Sequence, residues 1–345
     1  MAVVGVGVFG RNHARVYRQL QDAGSVRLVG VVDPNTTRAD AVAQEFGCKA
    51  FGSVEQMLTT HSEVQAASVA VPTVLHREVA CSLMEAGVDV LIEKPLAATL
   101  SEADELVRLA SANGRVAQVG HLERFNPAVR ATLPLITRPM FFEVHRLSVF
   151  SPRALDVDVV LDLMIHDLDI VLAFVGSPVK EIRAVGLPIL SGKVDIANVR
   201  VEFESGCVAN FTASRVSTER VRKLRFFQAG QYISIDYGRQ DVMVFSVGGS
   251  DSSSANTHSF AQNANEWGTP VSNAQASVNP QISMAKPAIT AEEPLLAEIK
   301  AFLEAVRARS RPVVSLEDGR RALELGLEIL AEIERHAGRI GVGKG

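Results

Sequence analysis

The sequence predicts an α/β domain built on a doubly wound parallel sheet, followed by an α+β domain with an open, mostly antiparallel sheet. Three observations lead to this. The first third alternates short apolar runs with amphipathic helical patterns. The remainder is rich in strand-like alternation around one strongly apolar helix. The length, 345 residues, exceeds what one hydrophobic core usually supports. The division is placed after residue 120, giving domains 1–120 and 121–345, the second carrying C-terminal packing helices.

The first apolar run, from Ala2, leads into Gly5, Gly7 and Gly10, a G-x-G-x-x-G pattern between a strand and a helix. Glycines there permit the tight turn and let backbone approach a pyrophosphate at the helix N-terminus, the Rossmann arrangement. Phe9, Arg11 and Asn12 fall in that loop and first helical turn and join the candidate dinucleotide contacts. A second run, RLVGVVD, ends at Asp33, 23 residues beyond Gly10. An acid there accepts hydrogen bonds from ribose hydroxyls and repels a 2′-phosphate. No arginine immediately follows it, which favours NAD over NADP; the bland reading of Asp33 is a turn residue before Pro34.

The alternation continues with a helix over 37–46, a strand near Ala50, a helix from Val54 and a strand over 66–71. In VPTVLH, Val71 and Pro72 end that strand, Thr73 is placed to cap the next helix, and His76 packs one turn in on the cofactor side. VDVLIEKP then delivers Glu93 and Lys94 to a strand's carboxyl end, where Pro95 holds Lys94 in extended backbone. In open parallel sheets ligands bind at that edge; the plain alternative is a surface Glu-Lys pair. A helix over 101–113, with Ser101 and Asp104 as capping box, and a strand over 115–119 complete the series.

The second part opens with GHLERFNPAVRATL, containing Arg124 and Asn126, and a strand, MFFEVHRLSVF. In DVDVVLDLMIHDLDIVLAFVG, Asp162 and His166 are four apart, so an α-helix puts them on one face, with Asp169 continuing the stripe. A carboxylate beside an imidazole fixes its orientation and raises its basicity, which suits a general base. A third clustered metal ligand is not evident, and no metal is expected. From Val179 the chain reads as strands, with a hairpin at Ser205-Gly206, then VRKLRFFQAG and QYISIDYG. One face of that sheet is left to cover, which points to a homo-oligomer, dimer or tetramer, packed through it. Gly248 to Thr290, with Trp267 in its middle, is assigned no elements. Leu295, Ile299, Phe302 and Val306 mark one packed helix and LEDGRRALELGLEILAEIE another.

A net charge of -4 without a basic run gives no nucleic-acid footprint, so anions must be held by helix ends or single arginines. Cys48, Cys81 and Cys207 form no metal or redox motif, consistent with a reducing, cytoplasmic setting. No apolar run is long enough for a membrane span, and the glycine loop near Met1 leaves no room for a signal-peptide core.

GVGVFGRNHARVY, VAVPTVLH and LIEKPLA resemble the nucleotide-binding half of the glucose-fructose oxidoreductase and inositol dehydrogenase family, Gfo/Idh/MocA, and the resemblance extends over essentially the whole chain. It implies that Lys94 reaches the active site, that Pro72 and Thr73 lie along the nicotinamide half of NAD, and that Asp162 and His166 are the family's D-x-x-x-H pair. By the same resemblance Arg124 contacts substrate or a cofactor phosphate, with a structural ion pair as the alternative. Where many members carry a glycine run before the aspartate, this chain has Asp158-Val159-Val160-Leu161. Together with GHLERFNPAV, VDIANVRVEFESGCVANFTASRVS and RKLRFFQ, this looks like the branch that oxidises the C3 hydroxyl of UDP-N-acetylglucosamine, at the head of the route to the 2,3-diamino sugars of lipid A. The implied partner is a nucleotide sugar held by Arg124, Asn126, Asp162 and His166. The same scaffold also serves free polyol or monosaccharide dehydrogenases and NAD-dependent glycosidases, and a non-catalytic NAD-sensing protein is the reading from another class. Whether Lys94 or His166 takes the substrate proton stays open on sequence.

Overall fold

The structure, a computed structural model, describes residues 1–151, 157–247 and 282–340. Strands β1 (Ala2–Val4), β2 (Gly30–Val32), β3 (Lys49–Phe51), β4 (Ala66–Val69), β5 (Asp89–Glu93) and β6 (Ala117–Gly120) form one sheet. It is parallel throughout, in the order β3-β2-β1-β4-β5-β6. The central strands are short and buried on both faces, which is why they read as unbroken Val, Ile and Ala runs rather than alternating ones. Chain direction across the sheet reverses between β1 and β4, and the crevice at their carboxyl ends is the natural ligand site of this topology.

Helices α1 (Val8–Asp22), α2 (Thr36–Phe46), α3 (Val54–Thr60), α4 (His76–Glu85) and α5 (Leu100–Ala112) connect these strands. Two expected caps are absent. Thr73–Leu75 form a 3-10 turn before α4, whose start has no side-chain cap, so Thr73 does not cap it. The box that starts α5 is Thr99 with Glu102, two residues earlier in the chain than Ser101 with Asp104; Asp104 instead pairs with Arg320. Glycine is required at two points of the first loop. Gly5 has φ +83°, and a Cβ on Gly10 would lie 1.8 Å from the Gly5 carbonyl oxygen.

The second sheet comprises β7 (Phe141–Val149), β8 (Val179–Leu187), β9 (Ile196–Phe203), β10 (Val208–Ser217), β11 (Val221–Gln228), β12 (Gln231–Asp236), β13 (Asp241–Val247) and β14 (Ile282–Ala285). Its order is β14-β13-β12-β11-β7-β10-β9-β8, with only the β7–β10 pair parallel. Strand β14 falls inside the stretch that the sequence left without elements; Trp267 and the rest of 248–281 lie outside the described residues.

Helix α6 (Pro127–Thr132) follows the crossover, and α7 (Ile165–Val175) and α9 (Leu316–Ile340) cover the inner face of this sheet. Phe142, Phe203, Phe211 and Phe226 meet Met164, Leu168, Val171 and Ile329 there. Packing does not follow sequence order at the C-terminus. Helix α8 (Pro294–Ala308) sends Ile299, Phe302 and Leu303 into a core shared with Val3, Tyr17 and Val31 of the first layer. Helix α9 touches both cores, through Leu316 and Leu323 on one and Leu325, Ile329 and Ile333 on the other. It approaches the D-x-x-x-H segment closely, since a Cβ on Gly326 would stand 2.8 Å from Leu161 Cδ2. Among the described residues no helix is long and apolar enough to cross a membrane.

Candidate active site

Lys94 follows directly on β5, at the carboxyl edge of the parallel sheet, and its side chain crosses to the second layer. Lys94 Nζ donates to the backbone carbonyl of Asp162 at 2.7 Å and stands 3.7 Å from the Asp162 carboxylate. Burial pushes the Lys94 ammonium below its ordinary value, opposed by the charges of Asp162 and Glu93. The sheet lysine and the D-x-x-x-H segment therefore meet.

They meet in a different geometry from the one an α-helix dictates. Val160–Met164 form a π-helical turn that passes into α7 at Ile165. The Asp162 carboxylate stands beside Lys94 and makes no hydrogen bond to His166 among the described residues. Among the described residues His166 Nδ1 is buried without a hydrogen-bond partner, and Nε2, also unbonded, is open to solvent. Asp162 thus holds Lys94 and does not orient the imidazole. Burial, with the charges of Lys94 and Arg146, keeps His166 well below the usual histidine range, so its ring is neutral at neutral pH.

Asp169 does not continue a catalytic stripe. It is buried and accepts two hydrogen bonds from Arg124, at 2.6 and 2.9 Å. Arg124 is therefore spent on an ion pair, the structural alternative of the two readings. Asp167 accepts a similar pair from Arg146, at 2.6 and 2.9 Å, and Arg146 also reaches Glu123 at 3.0 Å. Asn126, expected at the substrate, belongs to the fold: its amide donates to Glu123 and the Tyr237 carbonyl, and its oxygen caps α6.

His121 has no role in the reading from sequence, although it follows β6 at the same edge as Lys94. It is 1 % exposed and neither ring nitrogen has a partner among the described residues. Burial lowers its pKa, partly offset by Asp169. Position one residue past a strand end was the available signal.

The cofactor side is built at the β1–β4 switch point. The N-terminus of α1 has no side-chain cap, and a Cβ on Gly7 would meet nothing within 4 Å. The backbone amides of that turn are thus free for an anion. The loop after β4 touches the glycine loop at Ala70, and between them Val8, Phe9 and Val74 are 63 %, 59 % and 71 % exposed. An open glycine cradle, apolar side chains left bare on both lips and the orphaned nitrogens of His121 and His166 fit a dinucleotide reaching from α1 to Lys94. Val71, Pro72 and Thr73 lie on this second lip.

Several expected contacts are used elsewhere. Asp33, 4 % exposed, accepts from the amides of Val6 and Asn35, so it braces the glycine loop, and Arg38 approaches it at 3.5 Å from the first turn of α2. That arginine comes from five residues on, where adjacency to Asp33 gave no sign of it. Arg11 is bound by Glu45 of α2, and Asn12 makes no hydrogen bond among the described residues. His76 is buried within 2.9 Å of the Pro95 carbonyl and 3.0 Å of the Val71 carbonyl, tying the two lips together rather than facing a cofactor. A neutral ring can donate to only one of those carbonyls, and burial holds its pKa down.

Glu93 turns away from the crevice and accepts from His13 Nε2 at 2.8 Å. His13 Nδ1 contacts Ser68 Oγ, which also meets the Tyr17 hydroxyl. Glu298, delivered by α8, completes a cluster with His13 and Glu93 whose nearest polar atoms lie within 4.8 Å of one another. Among the described residues both Glu298 oxygens are without a partner, and the residue is 0 % exposed. Burial and the charge of Glu93 push its pKa well above the ordinary value, so it is held as a neutral acid.

A parallel dinucleotide sheet whose edge lysine meets a histidine-bearing helix of a second, open sheet defines a pyridine-nucleotide oxidoreductase. Residues 1–121 match the family described as an oxidoreductase family with an NAD-binding Rossmann fold, and residues 140–231 match the GFO/IDH/MocA C-terminal domain. The chain is 35 % identical over 333 residues to the UDP-N-acetylglucosamine 3-dehydrogenase of Acidithiobacillus ferrooxidans, covering 96 % of each. A solved structure of that enzyme superposes with a TM-score of 0.82 at 33 % identity, again covering 96 % of each chain. The scyllo-inositol 2-dehydrogenase of Bacillus subtilis is 28 % identical over 231 residues, 63 % of this chain and 67 % of that one. The protein belongs to the Gfo/Idh/MocA family of NAD-binding oxidoreductases.

The neutral Glu298 has a consequence for stability. An acid whose pKa is raised on folding binds more protons folded than unfolded, so stability falls as pH rises above the unfolded value. Replacing it by the isosteric amide removes that dependence. The melting temperature of Glu298→Gln, relative to wild type, is expected to move in the variant's favour between about pH 5 and about pH 8. A difference that stays constant across that range contradicts a protonated Glu298.

Proposed function

We propose that the protein oxidises the C3 hydroxyl of UDP-N-acetylglucosamine to a ketone with NAD. The observation that supports the site assignment is the bond from Lys94 Nζ to the Asp162 carbonyl, which draws the lysine to the segment carrying His166. The substrate assignment draws on the likeness to the Acidithiobacillus enzyme of that name. NAD, when bound along the crevice, supplies the hydride acceptor.

The chain's own residues supply the proton chemistry. His166, neutral because burial and two nearby cations disfavour its charged form, accepts the hydroxyl proton. Lys94, kept charged by Asp162 and Glu93 against the pull of burial, donates to the same oxygen and offsets its developing negative charge. Asp162 positions the ammonium. His121, one residue past β6 at the same sheet edge, has two buried nitrogens without a partner among the described residues. Residues 1–120 are proposed as the cofactor part and 121–345 as the substrate part, with α8 returning to the cofactor part, and the setting is proposed as cytoplasmic. Lys94→Ala and His166→Ala should each lower kcat by roughly two to four orders of magnitude, the usual range for a positioned acid or base, while NAD affinity by calorimetry stays nearly unchanged. A variant retaining near-normal turnover contradicts its assigned role.

The outer face of the second sheet carries a ladder of rings: Phe141, Phe227, Tyr232 and Phe245, with successive centroids 5.6, 4.9 and 5.3 Å apart. Met140 and Val247 beside it are 60 % and 49 % exposed. A second copy of this chain is proposed to cover that face. Phe227→Glu should lower the mass measured by sedimentation equilibrium to that of a single chain. An unchanged mass, or a monomeric wild type, rejects this interface.

A further inference from the structure

Arg124, Arg146, Arg215 and Arg222 lie on elements around the His166 helix, and three of these are neutralised. Arg124 is bonded to Asp169, Arg146 to Asp167 and Glu123, and Arg215 to Asp195 and the Val157 carbonyl. The fourth, Arg222, has a guanidinium that makes no hydrogen bond or ion pair among the described residues. It comes from the VRKLRFFQ strand, a segment to which the proposed reaction gives no part.

Strand alternation fixes where Arg222 sits. It shares a face of β11 with Leu224 and Phe226, both 0 % exposed beneath the helix layer, so it belongs to the inner face, the one α7 covers. The register places it opposite Arg146 on β7. There the cover ends and Arg222 is exposed. The carboxylates that act on it, Glu123 and Asp167, are both already bonded by Arg146. Burial of its inner part and the charge of Arg146 push its pKa below the ordinary arginine value. Its own charge helps keep His166 neutral. An uncompensated guanidinium is thus held beside a second arginine, at the open end of the face that carries the base.

That arrangement is complementary to an anion attached to whatever His166 acts on. A sugar oxidised at C3 and linked through C1 to a nucleoside diphosphate carries such an anion one pyranose ring away from the reacting carbon. We propose that Arg222 binds the diphosphate of the nucleotide sugar and thereby separates nucleotide-linked from free sugars. The inference rests on the substrate class given under Proposed function. Arginine suits the task because its planar fork meets two phosphate oxygens at once, which a lysine cannot do.

The experiment is titration of UDP alone into the NAD-loaded enzyme, with wild type, Arg222→Ala and Arg222→Lys, followed by steady-state kinetics on UDP-N-acetylglucosamine. UDP affinity is expected to fall about tenfold or more in Arg222→Ala, with Arg222→Lys in between. KM for the nucleotide sugar should rise by a similar factor, with a much smaller change in kcat and none in NAD affinity. If UDP binds wild type and Arg222→Ala equally well, the assignment of Arg222 is overturned. Should wild type itself fail to bind UDP, the nucleotide-sugar reading falls with it. If Arg222→Ala loses NAD and UDP together, Arg222→Lys decides: UDP affinity equal to wild type there also overturns a bidentate role.

Discussion

One bond holds the account together, the donation from Lys94 Nζ to the carbonyl of Asp162 across the junction of the two layers. In an open parallel sheet ligands bind at the carboxyl edge, where Lys94 stands, and here the histidine comes from the helix that covers the second sheet. Neither makes a reaction site alone. The π turn at Val160–Met164 is where the second layer bends to meet the lysine, and α9 presses on that turn through the close approach of Gly326 to Leu161. Because α9 is packed into both cores, the relative position of Lys94 and His166 is set by rigid elements and not by a loop.

Charge is handled in a consistent way around this junction. Arg124–Asp169 and Arg146–Asp167–Glu123 are nearly or fully buried, and such pairs add little net stability because desolvation offsets attraction. What they supply is geometry: each anchors one turn of α7 to a neighbouring element, so the helix bearing His166 cannot rotate. Behind Lys94, Glu93 is held by His13, and burial pushes the Glu298 carboxyl up toward its protonated form. Among the described residues both His121 nitrogens and His166 Nδ1 are left without a partner beside this junction.

Much of this was legible in the sequence, for identifiable reasons. The glycine spacing, the apolar strand runs and the lysine at a strand end are local signals, and local signals fixed the first sheet, its switch point and the place of Lys94. The second sheet was readable from alternation, including the Gly206 hairpin. The misreadings came where a tertiary partner decided. Asp162 was read as the partner of His166, and residue spacing shows neither the π turn nor the contact that Asp162 makes with Lys94 instead. Arg11, Asp33 and Asn126 were expected as ligand contacts by position, and each also makes a protein contact that spacing did not show: Glu45, the amides of Val6 and Asn35, and the start of α6. Ser101 and Asp104 satisfied the capping pattern as well as Thr99 and Glu102 do, and only the backbone distinguishes the registers. Glu298 was unreadable because its partners lie some two hundred or more residues earlier in the chain.

The central claim is that the lysine of the first sheet and the histidine of the second act on one oxygen. A crystal structure with NAD and UDP-N-acetylglucosamine tests it most directly. The account predicts the sugar's C3 oxygen within hydrogen-bonding reach of both Lys94 Nζ and the His166 ring. A well-ordered sugar whose C3 oxygen contacts neither group, or whose C4 or C6 oxygen occupies that place instead, would contradict it.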